Sequence, residues 1–204
     1  MQVAIAGNIG AGKTTLTELL AKHYNWNAHF ENAEENPYLD DFYGDMERWS
    51  FNLQVYFLKS RFDQILKIQR SGKNIIQDRT IYEDAKIFAP NLHAMGLLTN
   101  RDYNNYSSLF DLMENLVTPP DLLIYLRADI KTLVGQIHKR GRSYENSISI
   151  EYLSRLNERY EAWASQYKKG KLLIIDVDNI DFVDNPKDFG DIIDKIDAQI
   201  HGLF

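Results

Sequence analysis

The sequence predicts a doubly wound α/β fold, a five-stranded parallel sheet flanked by helices with a lid over one edge of its ligand crevice. Three observations carry that expectation. Short apolar runs alternate with longer helical patterns along the 204 residues. Two of the runs, "VAI" at 3–5 and "LLI" at 122–124, are apolar without alternation, as in a parallel sheet covered on both faces. The first run leads into a glycine-rich turn that opens a helix.

Taken in order, "QVAIA" (2–6) reads as the first strand and "TTLTELLAKHY" (14–24) as the helix behind it. "AHF" (28–30), "NIIQ" (74–77), "LLIYL" (122–126) and "KLLIID" (171–176) read as further buried strands. Ile150, Leu153, Leu156, Tyr160, Trp163 and Tyr167 recur at spacings of three and four, so 149–167 is an amphipathic helix. Residues 47–70 and 101–117 carry apolar side chains over more than one stripe. One face is expected on the sheet and another in a homodimer; the alternative is two well-buried helices in a monomer. Right-handed crossovers then place ligands at the carboxyl ends of the strands.

Composition narrows the function. Apolar content of 44% and charged content of 25% are ordinary for a soluble domain, and no repeat or linker divides the chain, so 1–204 is expected to be one domain. The net charge is −6, which disfavours duplex nucleic acid. No apolar run is long enough to span a membrane, and the N-terminus does not read as a signal peptide. There is no cysteine, so thiolate metal sites are excluded, and His23, His29, His93, His138 and His201 show no metal-ligand spacing. A cytoplasmic location is expected.

Gly7-Asn8-Ile9-Gly10-Ala11-Gly12-Lys13-Thr14 matches G-x-x-x-x-G-K-[ST] between a strand and a helix. Its backbone N–H groups and the helix N-terminus suit phosphates, Lys13 the outer phosphates, and Thr14 a Mg²⁺ ion. The motif indicates a nucleoside triphosphate without naming the reaction. Behind it, "HFENAEENPYLDD" (29–41) holds five carboxylates. The N-K-x-D motif of the GTPases is absent. Instead "NIIQ" ends in Asp78-Arg79-Thr80, an acid and arginine at a strand end that point to small-molecule kinases. "HKRGRSYEN" (138–146) is the densest basic cluster and falls where a closing lid would lie, at about 138–147.

With these motifs in place, the chain resembles the deoxyribonucleoside kinase family, nearest to its bacterial deoxyadenosine kinase branch. The resemblance rests on the phosphate loop, "ENAEENPYL", "ERWSFNLQVYFLKSR" (47–61), "DRTIYED" (78–84), "KRGRSYE" (139–145), "IEYLSRLNERYEAW" (150–163) and "IIDVDNIDF" (174–182). It implies phosphorylation of a deoxyribonucleoside 5′-hydroxyl by ATP with Mg²⁺. Glu31 then ends the second strand and takes the position of the catalytic base, with Arg79 pairing with it and with the 5′-oxygen. Lys13, Arg140 and Arg142 serve the transferred phosphoryl group. Tyr43 and Glu145 hold the 3′-hydroxyl and Gln54 reads the base. Arg61 and Asp84 form a charged pair beside it, and Phe88 packs on its face. Residues 7–14 with Thr15, and Asp181 with Phe182, hold the donor; Thr14 and Asp78 serve Mg²⁺.

The chain departs from the family's pattern in three places. Glu31-Asn32-Ala33 stands for Glu-Pro-Val, which makes Glu34 a rival base. Asp78-Arg79-Thr80 stands for Glu-Arg-Ser. Gln136 stands where deoxycytidine kinases carry a lid arginine, leaving lid charge to Arg140 and Arg142. Two rival functions remain open at this point: a thymidylate-type monophosphate kinase, and a nucleotide-binding regulator without turnover. Glu31 and Glu145 would repel an acceptor phosphate, which argues against the first. Deoxyadenosine is the favoured acceptor, with deoxyguanosine and deoxycytidine as alternatives.

Overall fold

A computed structural model describes residues 1–31, 35–142, 145 and 148–202. In chain order the elements are β1 (Gln2–Gly7), α1 (Lys13–Tyr24), β2 (Asn27–His29), α2 (Leu39–Gly44), α3 (Met46–Ser71) and β3 (Ile75–Asp78). A short α4 (Ile81–Glu83) runs through a π-helical turn (Asp84–Phe88) into α5 (Ala89–Ala94). Then come α6 (Asn100–Glu114), β4 (Leu122–Arg127), α7 (Ile130–Arg140), α8 (Ile150–Ser165), β5 (Lys171–Asp176) and α9 (Pro186–His201).

The five strands form one parallel sheet in the order β2-β3-β1-β4-β5. The order turns around at β1, so the crevice beyond its carboxyl end is the expected ligand position. Register makes this concrete. Ile5 pairs with Asp78 across β1 and β3, and the Arg79 backbone N–H donates to the Ile5 carbonyl at 2.9 Å. The phosphate loop and the Asp-Arg pair therefore leave adjacent strands side by side.

β1 shows why the two faces differ. Val3 and Ile5 point into a core shared with Leu16 and Leu20 of α1, Leu133 of α7, and Ile192 and Ile196 of α9. Ala4 and Ala6 point the other way with Leu123, and Trp163 and Tyr167 pack on them. Small side chains on that face let α8 lie close to the sheet. Beyond it, a second core joins Leu53, Leu58 and Ile65 of α3 to Tyr106 and Phe110 of α6 and to Leu156 and Tyr160 of α8. Burying a side chain of this size is worth about 1.5–3 kcal/mol.

Helix ends follow their caps. The Asp45 carboxylate accepts from Arg48 N–H at 3.0 Å to start α3, Thr99 from Asp102 N–H at 3.1 Å to start α6, and Ser149 from Tyr152 N–H at 3.1 Å to start α8. Gly72 and Gly141 close α3 and α7 in the left-handed conformation.

Three expectations need correction. β2 and β5 are edge strands rather than buried ones: β2 pairs only with β3, β5 only with β4, and Ile174 is 38% exposed. The apolar run of β5 is compatible with an edge because one face of it still meets α9, while β2, Asn27-Ala28-His29, is mostly polar. β2 also ends at His29, so Glu31 stands two residues beyond the strand instead of ending it. In α8, Ile150 faces solvent and the buried stripe is Tyr152, Leu153, Leu156, Tyr160 and Ala164. The long α3 and α6 pack on each other through one face. On α6, Leu112 (69%) and, just beyond its end, Leu116 (66%) are exposed. No helix among the described residues is long and apolar enough to cross a membrane.

Candidate active site

The loop after β1 is shaped by glycines that no larger residue could replace. Gly10 and Gly12 have φ of +87° and +88°. A Cβ on Gly10 would lie 2.7 Å from the Leu133 carbonyl oxygen, and one on Gly12 would lie 3.0 Å from Cζ of Phe182. Lys13 is buried, and its Nζ donates to the Asn8 carbonyl at 2.9 Å. Burial, then the charge on Arg79, lowers its pKa to about 8. The Asn8 side chain faces α8, donating to the Leu153 carbonyl at 3.0 Å and to Asn157 Oδ1 at 3.1 Å. Only its backbone is left to face a donor.

From β3, Asp78 Oδ2 accepts from the Thr14 hydroxyl at 2.6 Å, while its Oδ1 is buried without a hydrogen-bond partner. An orphaned carboxylate oxygen beside a hydroxyl is a donor set that fits a hard divalent cation such as Mg²⁺.

Arg79 follows in the left-handed region at φ +66°, unusual for a non-glycine residue. This turns its side chain back over the strand ends. Its Nε donates to Glu31 Oε2 at 3.1 Å, its Nη1 donates to the Tyr160 hydroxyl at 2.9 Å, and its guanidinium lies 4.6 Å from the centre of the Phe88 ring. Arg61, from the middle of α3, donates through Nη2 to Glu31 Oε1 at 2.5 Å and through Nε to Asp84. Two guanidiniums thus grip both oxygens of Glu31. Burial pushes that carboxyl up, but Arg61, Arg79 and Lys13 outweigh it and hold the pKa at about 2. Asp84 goes the other way: burial outweighs Arg61 and pushes it up to about 6. The π-helical turn carries both Asp84 and Phe88 and aims them into the same cavity.

That cavity, about 880 Å³ of open space, is lined by Lys13, Thr14, Glu31, Tyr43, Gln54, Arg79, Asp84, Phe88, Arg140, Arg142 and Glu145. Its apolar walls are Leu39, Phe42, Leu53, Phe57 and Tyr152. Gln54 is 3% exposed, and its Oε1 has no hydrogen-bond partner. The lid residue Glu145 is buried and paired with Arg140, whose Nε donates at 3.1 Å; Arg142 Nη1 lies 4.0 Å from it. A second groove behind the loop is lined by Gly10, Gly12, Thr15, Gln136, Asp181 and Phe182. The Asp181 carboxylate accepts from the N–H groups of Val183 and Asp184, both at 3.0 Å, so its side chain shapes the turn. Glu34 lies outside the described residues, as do lid residues 143, 144, 146 and 147.

The structure therefore brings Glu31, Tyr43, Gln54, Arg79, Asp84, Phe88 and Glu145 into one cavity together with Lys13, Thr14, Arg140 and Arg142, leaves Arg61 behind Glu31 and Asp84 outside its lining, and sets Thr15, Asp181 and Phe182 in the groove behind the loop. A Glu83–Tyr160 contact lies beneath Arg79. The spacing Thr80-x-x-Glu83 marks only a capping box, made through the other Glu83 oxygen, so the sequence carries no signal for it. The bond from Arg61 to Glu31 left no trace in the spacing.

The family model described as deoxynucleoside kinase matches residues 3–201. The chain belongs to this family. It is 40% identical over 204 residues to the deoxyadenosine/deoxycytidine kinase of Bacillus subtilis, covering 98% of this chain and 93% of that one. It is 36% identical over 214 residues to the deoxyadenosine kinase of Lactobacillus acidophilus, covering 98% and 97%. The structure of M. mycoides deoxyadenosine kinase with bound dCMP and a flexible dCDP superposes with a TM-score of 0.85 at 34% identity, covering 97% of this chain and all of that one. The dATP-bound form of that kinase gives 0.85 at 33%. Family membership decides against the thymidylate-type kinase and the regulator: this deoxynucleoside kinase is an enzyme that phosphorylates nucleosides at the 5′ position.

Proposed function

We propose that this kinase transfers the γ-phosphoryl group of ATP to the 5′-hydroxyl of deoxyadenosine, with deoxycytidine as a second acceptor. The observation that carries the base assignment is Gln54, whose buried Oε1 faces the cavity without a partner. Adenine and cytosine both place an exocyclic amino donor beside a ring-nitrogen acceptor, and an amide matches that pair in bidentate fashion. Guanine offers the reverse order. The names of the two relatives reported above support the same choice.

In this reading the 5′-hydroxyl lies against Glu31, which orients it and takes its proton as the oxygen attacks. Both Glu31 oxygens are engaged by arginines, so the hydroxyl shares one of them and Arg79 stays close to the reacting oxygen. Lys13, Arg140 and Arg142 balance charge on the phosphoryl group. Tyr43 and Glu145 hold the 3′-hydroxyl, Phe88 packs on the base, and the Arg61–Asp84 pair borders it. Phe182 lines the adenine pocket of the donor, with Asp181 shaping it. Thr14 and Asp78 hold Mg²⁺, which when bound screens the phosphates. The chain works as a homodimer through α3 and α6, supported by the exposed Leu112 and Leu116.

A coupled assay of ADP release with ATP and Mg²⁺ tests this against deoxyadenosine, deoxycytidine, deoxyguanosine, thymidine, dAMP and dTMP. Turnover is expected to be highest with deoxyadenosine and absent with monophosphates. A preference for deoxyguanosine would overturn the role given to Gln54.

A further inference from the structure

Glu83 is fully buried and its two oxygens have different jobs. Oε2 accepts from the Thr80 backbone N–H at 2.7 Å and completes the capping box of α4. Capping needs no more than that. Oε1 instead accepts from the Tyr160 hydroxyl at 2.8 Å and from the Gly7 N–H at 3.3 Å, and it lies 3.7 Å from Arg79 Nη1. Tyr160, also fully buried, in turn accepts from that same Nη1 at 2.9 Å. The chain of donors runs Arg79, Tyr160, Glu83, and the same oxygen reaches the root of the phosphate loop. These four groups come from the turn after β3, α8, α4 and β1, so no single element accounts for their meeting.

We propose that Glu83 and Tyr160 are positioning residues for phosphoryl transfer: together they fix the guanidinium of Arg79 at a set distance from the phosphate loop. This rests on the role assigned to Arg79 in the proposed function. Three features favour it over plain core packing. Arg79 has a left-handed backbone, so its side chain needs an external restraint to hold one direction. Glu31 engages only Nε, leaving the far end of the guanidinium to be held by Tyr160. And a linked chain of buried hydrogen bonds stiffens more than isolated ones do.

Tyr160→Phe is the mildest probe. It removes one hydroxyl from a ring stacked on Tyr125, with centroids 5.8 Å apart and planes at 4°. The expected result is a kcat about tenfold lower or more, since small misplacements of a reacting group are costly, with the KM for ATP unchanged. The deciding readout is a double-mutant cycle with Arg79→Lys. Positioning predicts that Tyr160→Phe lowers kcat no further in the Arg79→Lys background. An equal fold loss of kcat in both backgrounds would make Tyr160 a packing residue, and an unchanged kcat in Tyr160→Phe alone would also overturn the proposal. Glu83→Gln, where it folds, should reproduce the cycle. A full kcat in Arg79→Lys itself would instead overturn the role of Arg79, and the proposal with it.

Discussion

Arg61 reaches Glu31 from the middle of α3, its Nη2 2.5 Å from Oε1, while its Nε holds Asp84. One buried guanidinium therefore ties Glu31, the carboxylate proposed to meet the reacting oxygen, to Asp84, the one proposed to border the nucleobase. Removing a partner from such a pair leaves uncompensated buried charge, at about 3–5 kcal/mol. Arg61→Met should lose that much stability in urea denaturation, and Arg61→Met with Asp84→Asn should lose less than Arg61→Met alone.

Glu31→Gln keeps the shape of the side chain and removes its basicity. We expect kcat to fall by about a hundredfold or more with the nucleoside KM little changed, because a positioned base contributes roughly 10²–10⁴. Steady-state kinetics near neutral pH decide it; near-normal turnover would remove Glu31 from the base role.

Lys13 gives a pH dependence whose sign can be worked out. Its pKa in the free enzyme is lowered to about 8 by burial and by Arg79. The charged form binds phosphate, so affinity for ATP is full below that value and declines as pH rises through it. kcat/KM for ATP should show a basic limb near pH 8. In kcat the limb should move to higher pH, because bound phosphates favour the charged lysine. Lys13→Arg, whether or not it turns over well, should show no such limb in ATP binding.

At Gly12 a methyl group would press on Phe182 and force a left-handed alanine, which costs about 1–2 kcal/mol. Gly12→Ala should raise the KM for ATP about tenfold. The nucleoside KM, set across the cavity, should stay nearly the same.

Light scattering at micromolar concentration should give twice the 23.8 kDa of one chain. Leu112→Glu with Leu116→Glu should bring the mass down to one chain if α6 forms the interface.

Most of this architecture was legible in the sequence because it rests on local patterns. Unalternating runs at 3–5 and 122–124 mark strands covered on both faces, and the glycines, lysine and threonine of the loop have no second use in that context. Edge position was only partly legible: β2, Asn27-Ala28-His29, is mostly polar, but β5 carries the same apolar residues as the inner strands, and only pairing across the sheet tells it apart. The same limit applied to the site. The family resemblance named Glu31, Arg79 and Gln54, but Arg61 meets Glu31 across 30 positions and Tyr160 meets Arg79 across 81, contacts that tertiary packing alone creates. Tyr160 read as one more apolar step along a helix, and its hydroxyl has the more specific task.

Ala4 and Ala6, described above only as small, also set a tolerance. α8 rests on them through Trp163 and carries Tyr160 one turn away. A valine at either position would act as a shim under the helix, lifting Tyr160 relative to Arg79 from the far side of the sheet. With Tyr160 in its proposed positioning role, the thickness of these two methyl groups becomes a setting for turnover, and libraries at these positions should retune rate without altering which nucleoside is chosen.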